Sequence, residues 1–171
     1  MPQVRGLHHV TAVTASARGN LAFWRDVLGL RFVKKTVNFD DPSVYHLYYG
    51  DGLGRPGSAM TFFAWEHMAP GRRGAGEVAE TQLAVPTGAL GWWAARLATA
   101  GCDTARGERF GEPRLAFRDP DGLDLALVEA ADDAREPWTT DTVTADVAIR
   151  GFHGVTLALA DTAPTADLLT G

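Results

Sequence analysis

The feature that most constrains this chain is an internal repeat. Three segments share one layout: a short β-rich run, a turn, then an amphipathic helix. The first is Gly6-Leu7-His8-His9-Val10-Thr11-Ala12-Val13 leading to Asn20–Gly29. The second is Glu80–Pro86 leading to Ala89–Leu97 and a stop at Gly101, and the third is Gly151–Leu159 leading to Thr165–Leu169. The starts fall near residues 8, 80 and 153. Self-similarity at a fixed period marks a supersecondary unit that buries its apolar face only against a neighbour.

Periodicity fills in each unit. Leu21, Trp24, Val27 and Leu28 form one apolar stripe, so a helix is expected over 19–28. Asn20 is placed to cap it, and Gly29 sits where a left-handed residue ends a helix. Leu90, Trp93 and Leu97 make a second stripe over 88–100. Strands are expected at 31–37, at 43–49 after the Asp40-Asp41-Pro42 turn, and at 58–65 after a Gly-rich turn. That completes strand-helix-strand-strand-strand. The second unit closes with a strand at 114–117, the turn Asp119-Pro120-Asp121-Gly122 and a strand at 123–129. An α+β fold of tandem βαβββ modules follows.

The expected division is a first domain over 5–131, with modules 5–68 and 77–131. A linker follows at 132–147, then the start of a second domain at 148–171. The segment 69–76 is small and polar and joins the first two modules. The sequence stops inside the third unit's helix, before that helix can bury a face, and is expected to be a piece of a longer protein.

Composition removes several function classes. Net charge is −5 with both signs interspersed, so no basic stripe points to nucleic acid and no acidic tail to disorder. The single cysteine, Cys102, allows no intrachain disulfide and fits a reducing compartment. Met-Pro-Gln-Val-Arg-Gly has no apolar core of a signal peptide, and no apolar stretch approaches the roughly 20 residues of a membrane span. The expected location is the cytoplasm, with no membrane partner.

The run Leu7–Val13, with Leu28-Gly29-Leu30, Lys34–Pro42 and Tyr45–Asp51, resembles the hydroquinone-type ring-cleaving dioxygenases of the vicinal oxygen chelate superfamily. Arg109-Phe110-Gly111-Glu112 and Asp119–Leu123 continue the likeness. The long 34–51 stretch is specific; Asp-Pro-Asp-Gly alone is common across the superfamily. The resemblance implies mixed curved sheets with helices on the outer face. It implies four modules, of which this chain has two and part of a third. It also implies Fe(II), or Mn(II), held by two His and one Glu, which leaves open positions for dioxygen and a dihydroxylated aromatic ring. A homo-oligomer is expected.

Carried onto these residues, the resemblance makes His9 a metal ligand and places His8 and Thr11 near the substrate hydroxyls. Strand alternation sets His9, Thr11 and Val13 on one face. Without the motif, His9 is equally a hydrogen-bonded strand-end histidine, His8 a residue packed under the helix, and Thr11 β-branched strand filler. His46 lines a pocket or is a satisfied core histidine. His67 is expected at the surface, and His153 is expected to be structural, with Gly154 in the third module's ligand place. Thr61 and Ala126 stand where the carboxylate ligand belongs, and neither can serve. Glu80 falls at the second module's ligand-His place, as a weak substitute or a solvated strand-edge residue. Glu66 and Glu129 lie past strand ends and are expected to be exposed.

The count is one ligand where three are needed. The family pattern then has module one pairing with module four, which brings one His and one Glu. Modules two and three form a metal-free partner, and the 171-residue chain alone is expected to be inactive. Two other readings stay open: a glyoxalase-type or resistance-type metalloenzyme of the same superfamily, and a non-enzymatic small-molecule-binding module.

Overall fold

The computed structural model describes residues 4–66 and 68–170. The first module comprises β1 (His9–Thr14), α1 (Ala17–Leu21), a π-helical continuation (Ala22–Val27), β2 (Arg31–Val37), β3 (Tyr45–Gly50) and β4 (Ala59–Ala64). Its sheet runs β1-β4-β3-β2, with β1 parallel to β4 and the other pairs antiparallel. The second module repeats this order with β5 (Glu77–Val85), α2 (Leu90–Thr99), β6 (Ala105–Arg109), β7 (Glu112–Arg118) and β8 (Asp124–Glu129). A further strand, β9 (Gly151–Ala158), adds antiparallel to the outer edge of β5, and α3 (Ala163–Thr170) follows it. The sequence repeat is thus a structural one. Among the described residues no helix is long and apolar enough to cross a membrane.

The parallel registers fix which residues correspond. Thr11 pairs with Thr61 in the first sheet, and Gln82 with Ala126 in the second. Two residues earlier, Glu80 therefore stands where His9 stands. On the third strands, His46 lies opposite Phe63 and Arg114 opposite Val128, so Arg114 takes the place of His46.

Alternation splits each sheet into two faces. Leu47, Tyr49, Met60 and Phe62 from the first sheet join Leu83, Val85, Leu115, Phe117, Leu125 and Leu127 from the second in one buried cluster. Phe23, Trp24, Leu28, Leu90, Trp93 and Leu97 fill the space between them. The helix-covered faces of both modules share this core, and Phe23 meets Phe117 across it at 6.5 Å between ring centroids. The segment 132–147 packs here as well. Val143 and Val147 are buried, and Trp93 Nε1 donates to the Val147 carbonyl at 2.8 Å. Both sheets keep their opposite faces, carrying Thr61 and Ala126, away from the core.

Local differences from the sequence expectations have physical reasons. The first helix begins at Ala17, two residues early, because Ser16 and not Asn20 is its cap: Ser16 Oγ accepts from Gly19 N at 3.1 Å. Asn20 lies one turn inside, buried, where its Oδ1 accepts from the Tyr49 hydroxyl at 2.9 Å. Gly29 and Gly101 end their helices at φ 72° and 78°, the left-handed region expected of them. Strand β6 has no counterpart in the sequence reading. Ala-Arg-Gly-Glu-Arg is exposed throughout and has no apolar alternation, so its ladder with β7 alone makes it a strand.

Candidate functional site

The core-distal face of the first sheet gathers polar side chains. His9 and Thr11 on β1, Thr61 on β4, His46 and Tyr48 on β3 and Lys34 on β2 share it by register. His9 and Thr11 are exposed at the outer strand of the sheet, while Thr61 is buried. Thr11 Oγ1 lies 2.8 Å from Thr61 Oγ1, Thr61 Oγ1 lies 3.1 Å from His46 Nε2, and His46 Nδ1 lies 2.8 Å from the Tyr48 hydroxyl. Burial pushes the His46 pKa below the usual histidine range, and the electrostatic influence of Lys34 and His9 acts in the same direction. His46 is therefore a half-buried, neutral, doubly hydrogen-bonded histidine that also lines the open face.

His8 precedes the strand. Its Nδ1 lies 3.1 Å from Nδ1 of His9. A His9 that donates from Nδ1 presents the lone pair of Nε2, the usual arrangement of a metal-binding imidazole held by a neighbour. The backbone here is pinned from the other side. The His8 carbonyl accepts from Gly57 N at 2.9 Å, and the Gly57 carbonyl accepts from Phe152 N at 2.7 Å. Arg135 donates to the carbonyls of Gly57 and Phe152, with Asp133 holding its guanidinium. The start of β1 is thereby tied to the start of β9.

The corresponding face of the second sheet is closed by charge. Glu80 pairs with Arg114 and, at 3.4 Å, with Arg109. Gln82 Nε2 donates to Glu80 Oε1 at 3.0 Å, and Arg109 also donates to Thr156 on β9. Glu80 is a largely buried, ion-paired residue and not a solvated one. His153 takes a structural contact, its Nε2 2.9 Å from Glu112. Glu129 is half-buried and accepts from Gly88 N, whereas Glu66 is exposed. His67 lies outside the described residues.

The donor set decides how far this face fits a metal. Among the described residues no three His, Cys, Asp or Glu side chains come together as a metal site. The first sheet offers one ligand-ready imidazole, His9, on an open face. Thr61 fills the carboxylate place and is already committed to Thr11 and His46. The described residues offer one candidate ligand, His9, and do not by themselves complete a metal centre.

The family model described as "Glyoxalase/Bleomycin resistance protein/Dioxygenase superfamily" matches residues 6–127. The chain belongs to this superfamily. It is 46% identical over 164 residues to "Putative ring-cleaving dioxygenase MhqO" of Bacillus subtilis, covering 96% of this chain and 53% of that protein. It is 40% identical to the chlorohydroquinone/hydroquinone 1,2-dioxygenase of Sphingobium indicum, covering 92% of this chain and 50% of the relative. A solved structure of a "putative dioxygenase" from Bacillus subtilis superposes with a TM-score of 0.95 at 45% identity, over 99% of this chain and 55% of that one. The chain thus spans about half the length of the relatives it matches. Thr61, His46 and Tyr48 as a group escaped the sequence reading. Strand alternation alone puts His46 and Tyr48 on one face, but only the parallel β1–β4 register brings Thr61 to both Thr11 and His46.

Proposed function

We propose that this chain forms part of a metal-dependent extradiol-type dioxygenase that cleaves a dihydroxylated aromatic ring of the hydroquinone or catechol class. His9 is one metal ligand, and His8 and Thr11 contact the ring's oxygens. The observation that carries the reading is His9 beside Thr11 on an exposed polar face, in a chain close in sequence to proteins named as ring-cleaving dioxygenases. Fe(II) is the proposed metal, with Mn(II) the alternative. It would bring the ring oxygens and dioxygen to one centre and stabilise negative charge on both.

This chain's own residues bind and orient. His9 fixes one metal direction, and the Thr11 hydroxyl meets an aryl oxygen. On its Nδ1 the His8 imidazole takes the phenolic proton released as the ring binds, giving up its contact with His9 as it does so. The second sheet supports the first through the shared core and needs no metal, because its corresponding place holds Glu80 and Arg114 as an ion pair. The remaining His and Glu ligands are proposed to come from a second domain that begins near residue 148. The assembly is proposed to act in the cytoplasm as a homo-oligomer.

The test uses the full-length enzyme that contains this chain, loaded anaerobically with Fe(II). Oxygen uptake with hydroquinones is measured, together with bound iron. His9→Ala is expected to lose more than about 100-fold in both metal affinity and rate, beyond what loss of a residue that merely supports a ligand costs. A variant that keeps its iron and its turnover would refute the assignment.

A further inference from the structure

Tyr48, His46, Thr61 and Thr11 form an unbranched hydrogen-bond chain across three strands. With His46 neutral, each of the four groups brings one hydrogen. Three links use three hydrogens and leave one over; keeping it on Thr61 would leave a buried O–H with no acceptor among the described residues, so it lies at an end. In one direction Tyr48 donates to His46 Nδ1, the His46 Nε2–H donates to Thr61, and Thr61 donates to Thr11. The Thr11 O–H is then left to donate into the site. In the reverse direction Thr11 donates inward and offers the site only a lone pair. The direction of the chain decides what Thr11 can bind.

One observation favours the first direction, and a second fixes which ring nitrogen meets which partner. Lys34 Nζ stands 4.4 Å from the centroid of the Tyr48 ring. A cation over a phenol draws electron density from its oxygen, which makes the hydroxyl a better donor and a poorer acceptor. The His46 ring is also held in place, packed against Tyr48 and Phe63 at 4.1 Å between centroids in each case. The fold itself does not require this chain. The second module has Gln82, Ala126 and Arg114 where the first has Thr11, Thr61 and His46.

We infer that Tyr48, His46 and Thr61 are positioning residues that turn the Thr11 hydroxyl hydrogen toward the site, so that the ring is taken through a deprotonated aryl oxygen and not as a neutral phenol. The choice of ring rests on the dioxygenase reading above; the direction of the chain does not.

Two experiments separate these. Nitrogen NMR of labelled imidazoles in the 171-residue chain reads the His46 tautomer directly. Nε2 is expected to carry the hydrogen and Nδ1 to be the acceptor. Tyr48→Phe removes the donor, and Lys34→Met removes the charge while keeping the stem, so both are expected to shift population toward Nδ1–H. A wild-type His46 protonated at Nδ1, or a tautomer that neither variant moves, overturns the inference. In the full-length enzyme, Tyr48→Phe is expected to raise KM for hydroquinone and lower kcat/KM by roughly tenfold or more, the scale of one hydrogen bond to a charged group. Metal content stays unchanged, and combination with Thr11→Val gives no further loss. Additive losses overturn the relay. Absence of ring cleavage by the wild-type enzyme would instead remove the dioxygenase reading, and the tautomer measurement would then decide the relay alone.

Discussion

At the scale of single residues, the corresponding places in the two modules have opposite uses. His9 is exposed, while Glu80 is locked between Arg114, Arg109 and Gln82. Burying a carboxylate is tolerated only when it is paired and hydrogen-bonded. Arg114→Met keeps the apolar stem but leaves Glu80 short of its main partner. A loss of roughly 2–3 kcal/mol in urea unfolding is expected, below the 3–5 kcal/mol of a fully broken buried pair because Arg109 and Gln82 remain. The double variant Glu80→Gln, Arg114→Met is expected to recover most of that loss. A single variant as stable as wild type would show that the pair is not what closes this face. The repeat puts Glu80 at the second module's ligand position, and the parallel registers align it with His9. Its partner was not legible, because Arg114 lies 34 residues away and reaches it only through the fold of β7 beside β8 beside β5.

At the scale of elements, the signals that read well were those set by local backbone chemistry. Gly29 and Gly101 were legible as helix stops because a left-handed residue is costly for any side chain but glycine's hydrogen. The cap was misread because Ser16 and Asn20 are both good N-cap residues, and only burial of Asn20 against Tyr49 decides between them. Gly29 also has a role the sequence could not show. A Cβ there would stand 2.7 Å from Val143 Cγ2, so the helix end and the segment before β9 are in close contact. Gly29→Ala is expected to cost about 2–3 kcal/mol in chemical denaturation. About 1 kcal/mol of this is for the left-handed backbone, and the rest is for the displaced valine. Val143→Ala in the same background should relieve only the second part. A double-mutant cycle with no coupling between the two positions would show that Val143 moves aside freely.

At the scale of the whole molecule, the two sheets differ in how their first strands are used. β5 has β8 on one side and β9 antiparallel on the other, with Gln82 opposite Gly154 and Glu80 opposite Thr156. β1 has β4 on one side and, among the described residues, no strand on the other. An edge strand carries a row of unpaired backbone donors and acceptors that favours a further strand. By analogy with β9 on β5, a strand antiparallel to β1 is proposed there. It would bring its own side chains to the face that carries His9. The ligand count gives the consequence. Three protein ligands on one side of the ion make a reactive non-haem iron site, and no three candidate ligands come together among the described residues. Pairing two copies of β1 would add a second His9 but no carboxylate, because Thr61 occupies that place in both. The isolated 171-residue chain, reconstituted anaerobically with Fe(II), is therefore expected to bind the metal more than about 100-fold more weakly than the full-length enzyme. It is also expected to show no oxygen uptake with hydroquinones. Turnover comparable to the full-length enzyme would mean that the metal has its complete ligand set within this chain. Glu80, the largely buried carboxylate at the corresponding place, would then be the first residue to substitute.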